Sequence, residues 1–164
     1  MIKSKPVRKR TLVMLQNNIH LRIKKISENL KVNLFYDKLE VNIIDFSLER
    51  DFEISEIKRA LSRIPGIETF IEVEFHETND FDTIVTKVSK TYIDQIKDKT
   101  FCVRARRSWN HEFTSTELER YVWAWLLIKL NEMWINGRVQ MKKPEITVAL
   151  EVRGANLYVV KSTQ

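Results

Sequence analysis

The chain has 164 residues, 43% hydrophobic and 30% charged, enough for one ordinary domain or two small ones with a buried core. Its longest apolar run, Val122 to Leu130, contains Lys129 and falls well short of the roughly 20 residues that span a bilayer. The single cysteine excludes an internal disulfide, and the N-terminus shows no secretory apolar stretch, so a cytoplasmic protein with no membrane partner is expected.

The net charge of +6 is unevenly spread. Lys3, Lys5, Arg8, Lys9, Arg10, Arg22, Lys24 and Lys25 all precede the first acid, Glu28. A second group is Lys99, Arg104, Arg106 and Arg107. Clustered cations attract polyphosphate through counterion release, or simply form a solvated basic face.

In chain order, Leu12, Leu15, Ile19, Ile23, Ile26 and Leu30 recur every three or four residues and predict a helix, with Pro6 suited to its first turn. Val32, Leu34 and Tyr36, then Leu39, Val41 and Ile43, alternate around Asp37-Lys38 as a β-hairpin. Ile54, Ile57, Leu61 and Ile64 predict a second helix stopped by Pro65-Gly66. A strand follows with Ile71, Val73 and Phe75 on one face. This order of helix, strand, strand, helix, strand is a split βαβ arrangement of ferredoxin-like type lacking its first strand.

A third helix is expected near Asp80 to Ile96, on an apolar face of Phe81, Ile84 or Val85, Val88 and Tyr92. A strand through Thr100 to Arg106 sets Phe101, Val103 and Ala105 against Cys102, Arg104 and Arg106. Thr114 and Glu117 have capping-box spacing and open a long helix that ends near Asn136-Gly137. Ile146, Val148, Leu150 and Val152 form a strand, Gly154 a turn, and Leu157 to Val160 the last strand. The fold class is α+β, an open α/β sheet with helices packed on it.

No catalytic arrangement emerges. Three glycines supply no phosphate-cradling loop, and His20, His76 and His111 lack metal-ligand spacing, so no cofactor and no metal are expected. Cys102 alternates with Arg104 and Arg106, cations of the kind that activate a thiolate, yet a lone strand cysteine is equally a small packing residue.

KTFCVRARR (Lys99 to Arg107) is the informative stretch. Alternation puts Arg104 and Arg106 on one face, roughly 7 Å apart, a spacing suited to successive phosphates. Arg107 leads into a polar loop with Trp109, Asn110 and His111, which suit stacking on and hydrogen bonding to unpaired bases. Ser115 lies where the next helix begins, and the N–H groups there favour a phosphate. The alternative is a salt-bridged strand and a solvated loop.

RIPGIETFIEVE (Arg63 to Glu74), KTFCVRARR, HEFTS (His111 to Ser115), ERYV (Glu119 to Val122) and EITVALEVRGANLYVV (Glu145 to Val160) stand in the order found in bacterial tRNA 4-thiouridine synthases. With IKSKPVRKR (Ile2 to Arg10), the chain resembles that family of tRNA sulfurtransferases over nearly its whole length. The resemblance implies a partial N-terminal ferredoxin-like region at 1–49 and a THUMP domain at 50–160. It implies that the THUMP domain holds the tRNA acceptor stem and 3′ CCA end. A separate PP-loop domain, working in cis or in trans, would adenylate the uridine with ATP; no PP-loop motif occurs in these residues, so ATP and catalysis are expected to lie outside them. The family also serves thiamine biosynthesis.

The resemblance places Arg104, Arg106, Arg107, His111 and Ser115 on the RNA-facing strand and loop, while Lys5, Arg8, Lys9 and Arg10 are expected to contact the stem backbone. This chain departs from the family pattern in three places. The first ferredoxin-like strand is missing. Trp109 and Asn110 replace a glycine and a basic residue. Trp123-Ala124-Trp125 replaces a glycine run.

A second reading rests on the apolar wrap of Trp123, Trp125, Leu126, Leu127, Ile128, Leu130 and Trp134. An exposed surface of that kind marks a protein-interaction or homo-oligomerisation module, whereas a buried one is ordinary core.

Overall fold

A computed structural model describes residues 5–27, 29–35, 38–43 and 50–163. Packing divides the chain into two compact units between Phe70 and Ile71.

The first unit contains helix α1 (Lys5–Ile23), strands β1 (Leu30–Leu34) and β2 (Leu39–Ile43), and helix α2 (Arg50–Leu61). The strands form an antiparallel hairpin in which Leu30, Val32 and Leu34 face Ile43, Val41 and Leu39. Tyr36 and Asp37, assigned to this hairpin from sequence, lie outside the described residues. The apolar positions of α1 and α2 converge on a core of Ile19, Ile23, Ile57, Leu61 and Ile64.

The helical spacing of Ile26 and Leu30 runs past the end of α1. Ile26 sits in the following turn and Leu30 opens β1. Both pack on the same core, so burial continued the period after the helix had stopped. Helix α2, which falls in the second domain when the boundary is drawn at residue 50, packs through Ile57 and Leu61 with Ile19 and Ile23 of the first unit.

The second unit contains β3 (Ile71–His76), α3 (Phe81–Tyr92), β4 (Thr100–Ser108), α4 (Ser115–Glu132), β5 (Arg138–Val139), β6 (Ile146–Arg153) and β7 (Asn156–Thr163). Its five-stranded sheet has the order β3-β7-β6-β4-β5. Strand β4 is parallel to β5 and β6, while β6-β7 and β7-β3 are antiparallel. The last strand of the sequence-predicted βαβ series thus joins the sheet of the second unit rather than the hairpin of the first.

Helices α3 and α4 pack on the sheet over Phe101, Val103, Val148, Leu150, Val152, Leu157 and Val159. They contribute Ile84, Val85, Val88, Leu118, Val122, Leu126 and Leu130, all buried. Trp123, Trp125 and Leu127 are half-buried and pack against this core. Helix α4 is therefore a core helix, and its two indoles do not form the exposed apolar surface that the interaction reading requires. It stops at Glu132, short of Asn136-Gly137, and Trp134 stands 96% exposed in the turn beyond.

In β3 the apolar side, Ile71, Val73 and Phe75, is exposed, and Phe75 meets the Tyr158 ring at 5.4 Å. The alternate side is polar but partly covered: Thr91 of α3 donates to the Glu74 carboxylate.

Candidate nucleic-acid interface

Strand β4 carries the site. Phe101, Val103 and Ala105 are buried against α4, and the residues between and after them, Arg104, Arg106 and Arg107, are exposed. Among the described residues none of these three arginines forms an ion pair. The Arg104 guanidinium donates to the Met141 carbonyl at 3.3 Å, in the loop after β5. Cys102 shares the face of Arg104 and Arg106 but is 2% exposed, with its Sγ 3.8 Å from the Thr147 hydroxyl, so it is a packing residue.

Beyond Ser108 the chain turns sharply. Trp109 has φ +76 and is 76% exposed, and Asn110 is exposed beside it. His111 is half-buried; its Nε2 lies 2.9 Å from the Ser108 carbonyl and its ring 4.9 Å from Phe113. Phe113 in turn meets Phe81 edge-on at 4.8 Å, which ties the loop to the start of α3. His111 thus braces the loop. Trp109 and Asn110 are the members presented to solvent.

The start of α4 differs from the phosphate site expected there. Thr114 accepts the Glu117 backbone N–H on its hydroxyl, and the Glu117 carboxylate accepts the Thr114 backbone N–H at 2.6 Å, a complete capping box. The Thr114 backbone and side-chain hydrogen bonds hold the Glu117 carboxyl below the usual carboxylate range, and Arg120 and Arg107 add to the effect. An ionised carboxylate already occupies this positive helix end, so it is no open seat for an anion. Ser115 is half-buried in the first turn.

In the first unit, Arg8, Lys9 and Arg10 are exposed on α1. Lys5 is the first residue of that helix. Among the described residues no group of three or more His, Cys, Asp or Glu is placed to hold a metal ion, and no helix is long and apolar enough to cross a membrane.

Sequence reading missed Gly154 as part of the site. It lies at φ +57 in the β6-β7 turn, and a Cβ built on it would stand 2.8 Å from Cε3 and Cζ3 of Trp109. The pairing depends on β4 running parallel to β6 with Ser108 opposite Arg153, a register that no local pattern reveals.

The family model for the THUMP domain matches residues 78–160. The chain is 38% identical to a tRNA sulfurtransferase of Saccharophagus degradans over 97% of its own length and 32% of the relative's. It is 39% identical to the tRNA sulfurtransferase of Aeromonas salmonicida, over 98% of this chain and 32% of that protein. The chain thus spans about a third of the length of the curated relatives it matches. Its fold matches that of a 4-thiouridine synthetase solved in complex with RNA and bound ATP, with a TM-score of 0.71 and 19% identity, covering 99% of this chain and 38% of that one. A protein of Pyrococcus horikoshii matches with a TM-score of 0.72 and 17% identity, covering 98% of this chain and 51% of that one.

Proposed function

We propose that this chain, which belongs to the THUMP domain family, binds tRNA at its acceptor stem and 3′ CCA end, as the substrate-binding part of a tRNA 4-thiouridine synthase. The observation that carries the reading is the set Arg104, Arg106 and Arg107 on β4, exposed, in no ion pair among the described residues, and leading directly into the exposed Trp109-Asn110 pair. Cations on a rigid strand neutralise phosphates, and an exposed indole with an amide beside it engages unpaired bases. Lys5, Arg8, Lys9 and Arg10 on α1 supply backbone contacts that position the stem without reading its sequence. His111, held on the Ser108 carbonyl, and Ser115, in the first turn of α4, complete the RNA-contacting surface in this proposal.

In this proposal the chemistry lies elsewhere. A PP-loop domain, in cis or in trans, uses ATP to activate the uridine, and these residues present the RNA to it in the cytoplasm. Self-association through α4 is not proposed, because Trp123 and Trp125 pack on the core.

The test is fluorescence anisotropy with a labelled acceptor-stem hairpin, with and without its unpaired 3′ nucleotides. The hairpin with the loose end is expected to bind more tightly. Equal affinity for the two would remove the 3′ end as the ligand.

A further inference from the structure

Trp109 combines two features that rarely occur together. Its φ of +76 lies in the region that bulky L-residues avoid, and its large apolar side chain is 76% exposed. Neither feature serves the core. Strain of this kind persists only where the surroundings impose it, and it concentrates at binding and catalytic sites.

The surroundings do impose it. Ser108 is fixed from two sides: its hydroxyl donates to Glu151 Oε1 at 3.3 Å, and its carbonyl accepts from His111 Nε2. Glu151 is itself held by Arg153, whose Nη2 donates to Oε2 at 2.8 Å, and the Arg153 guanidinium lies 4.9 Å over the Tyr158 ring. The benzo edge of the indole then lies against Gly154, in space that any side chain at 154 would claim. Gly154 is also the residue type its own φ of +57 favours.

The geometry points to a preset stacking platform: Gly154 is a positioning residue that seats the Trp109 indole so that it stacks on one unpaired nucleobase beside Arg107. The inference rests on the RNA-binding reading above and adds to it a second residue and a mode of action. Because every base has a π-face, a platform of this kind accepts an unpaired base of any identity. A seated indole also loses no rotamer freedom on binding, which raises affinity without further contacts.

The experiment uses the full chain and four proteins: wild type, Trp109→Gly, Gly154→Ala and the double variant. Each is titrated against the acceptor-stem hairpin with its unpaired 3′ nucleotides and against the blunt hairpin. Trp109→Gly is expected to weaken the loose-ended hairpin about 5- to 150-fold, the range of one base–aromatic stack, and to leave the blunt hairpin unchanged. Its thermal midpoint should not fall, since glycine accepts the positive φ. Gly154→Ala should show the same selective loss, and no further loss once Trp109 is gone.

A Trp109→Gly protein that binds the loose-ended hairpin like wild type overturns the platform, even where Gly154→Ala fails to fold. An additive loss in the double variant overturns the role of Gly154. Wild type that binds neither hairpin brings down the RNA reading and the platform together.

Discussion

The Glu119 carboxylate of α4 accepts the backbone N–H of Ala105 in β4 at 2.9 Å. This bond replaces a missing strand. Strand β5 pairs with β4 only at Thr100 and Phe101, so the outer edge of β4 lacks a ladder partner where Arg104 and Arg106 stand. Glu119→Ala leaves a buried N–H without an acceptor, which costs about 1–3 kcal/mol. Glu119→Gln keeps an oxygen in place and is expected to recover most of that loss. Urea denaturation of the three proteins checks this, and equal destabilisation by the two substitutions would count against it.

A second side chain substitutes for strand pairing at Tyr92. The β6-β7 ladder runs from Arg153 opposite Asn156 to Leu150 opposite Val159. At the next pair the Tyr92 hydroxyl enters, accepting from the Ala149 N–H at 3.3 Å and donating to the Val160 carbonyl. Tyr92→Phe preserves the ring but strands both backbone groups, so it should destabilise the second unit by about 1–3 kcal/mol. A change in the urea midpoint below about 0.5 kcal/mol equivalent would show that water replaces the phenol.

Much of this architecture is legible locally. The capping box at Thr114 and Glu117 and the alternation of Val103, Arg104, Ala105 and Arg106 each follow from spacing of two to four residues and appear as expected, whereas α2 ends at Leu61, ahead of the Pro65-Gly66 stop, and leaves Ile64 outside the helix. Features set by long-range pairing are not legible. Strand β5 is two residues long and exists because Arg138 donates to the Lys99 carbonyl just before β4 and Gln140 to the Phe101 carbonyl within it. Alternation puts Ile71, Val73 and Phe75 on one face of β3 but does not say which face meets the helices; Glu74 and His76 occupy the helix side and the apolar face is exposed. Likewise Gly154 has no local reason to matter until β6 lies beside β4.

His76 supplies a pH dependence. Burial lowers its pKa below 6.5; Glu74 opposes the shift, while Lys87 and Lys90 add to it. A base whose pKa is depressed by folding binds fewer protons in the native state than in the unfolded chain. The stability linked to it is therefore complete above about pH 6.5 and is lost as pH falls through that value toward the folded pKa. Urea midpoints measured from pH 7.5 to 5.5 should decline for wild type and stay flatter for His76→Gln. Parallel curves for the two proteins would assign the decline to other groups.

The salt dependence of binding separates the two basic regions from the aromatic platform. Each phosphate neutralised on a single strand contributes about −0.7 to the log–log slope of affinity against salt, and about −0.9 on a duplex. Arg104 and Arg106 are exposed on β4, so replacing both with alanine should barely change stability. It should flatten the slope by about one to two units with the loose-ended hairpin. Neutralising Arg8, Lys9 and Arg10 should also flatten the slope, but equally for both hairpins and for unrelated stems, because backbone contacts carry no sequence information. Trp109→Gly should lower affinity with the slope nearly intact, since stacking releases few ions. The three outcomes are read from one titration series between about 50 and 200 mM salt. If the Arg104/Arg106 double variant keeps the wild-type slope, β4 does not face phosphate, and the strand's exposed cations are a solvated surface.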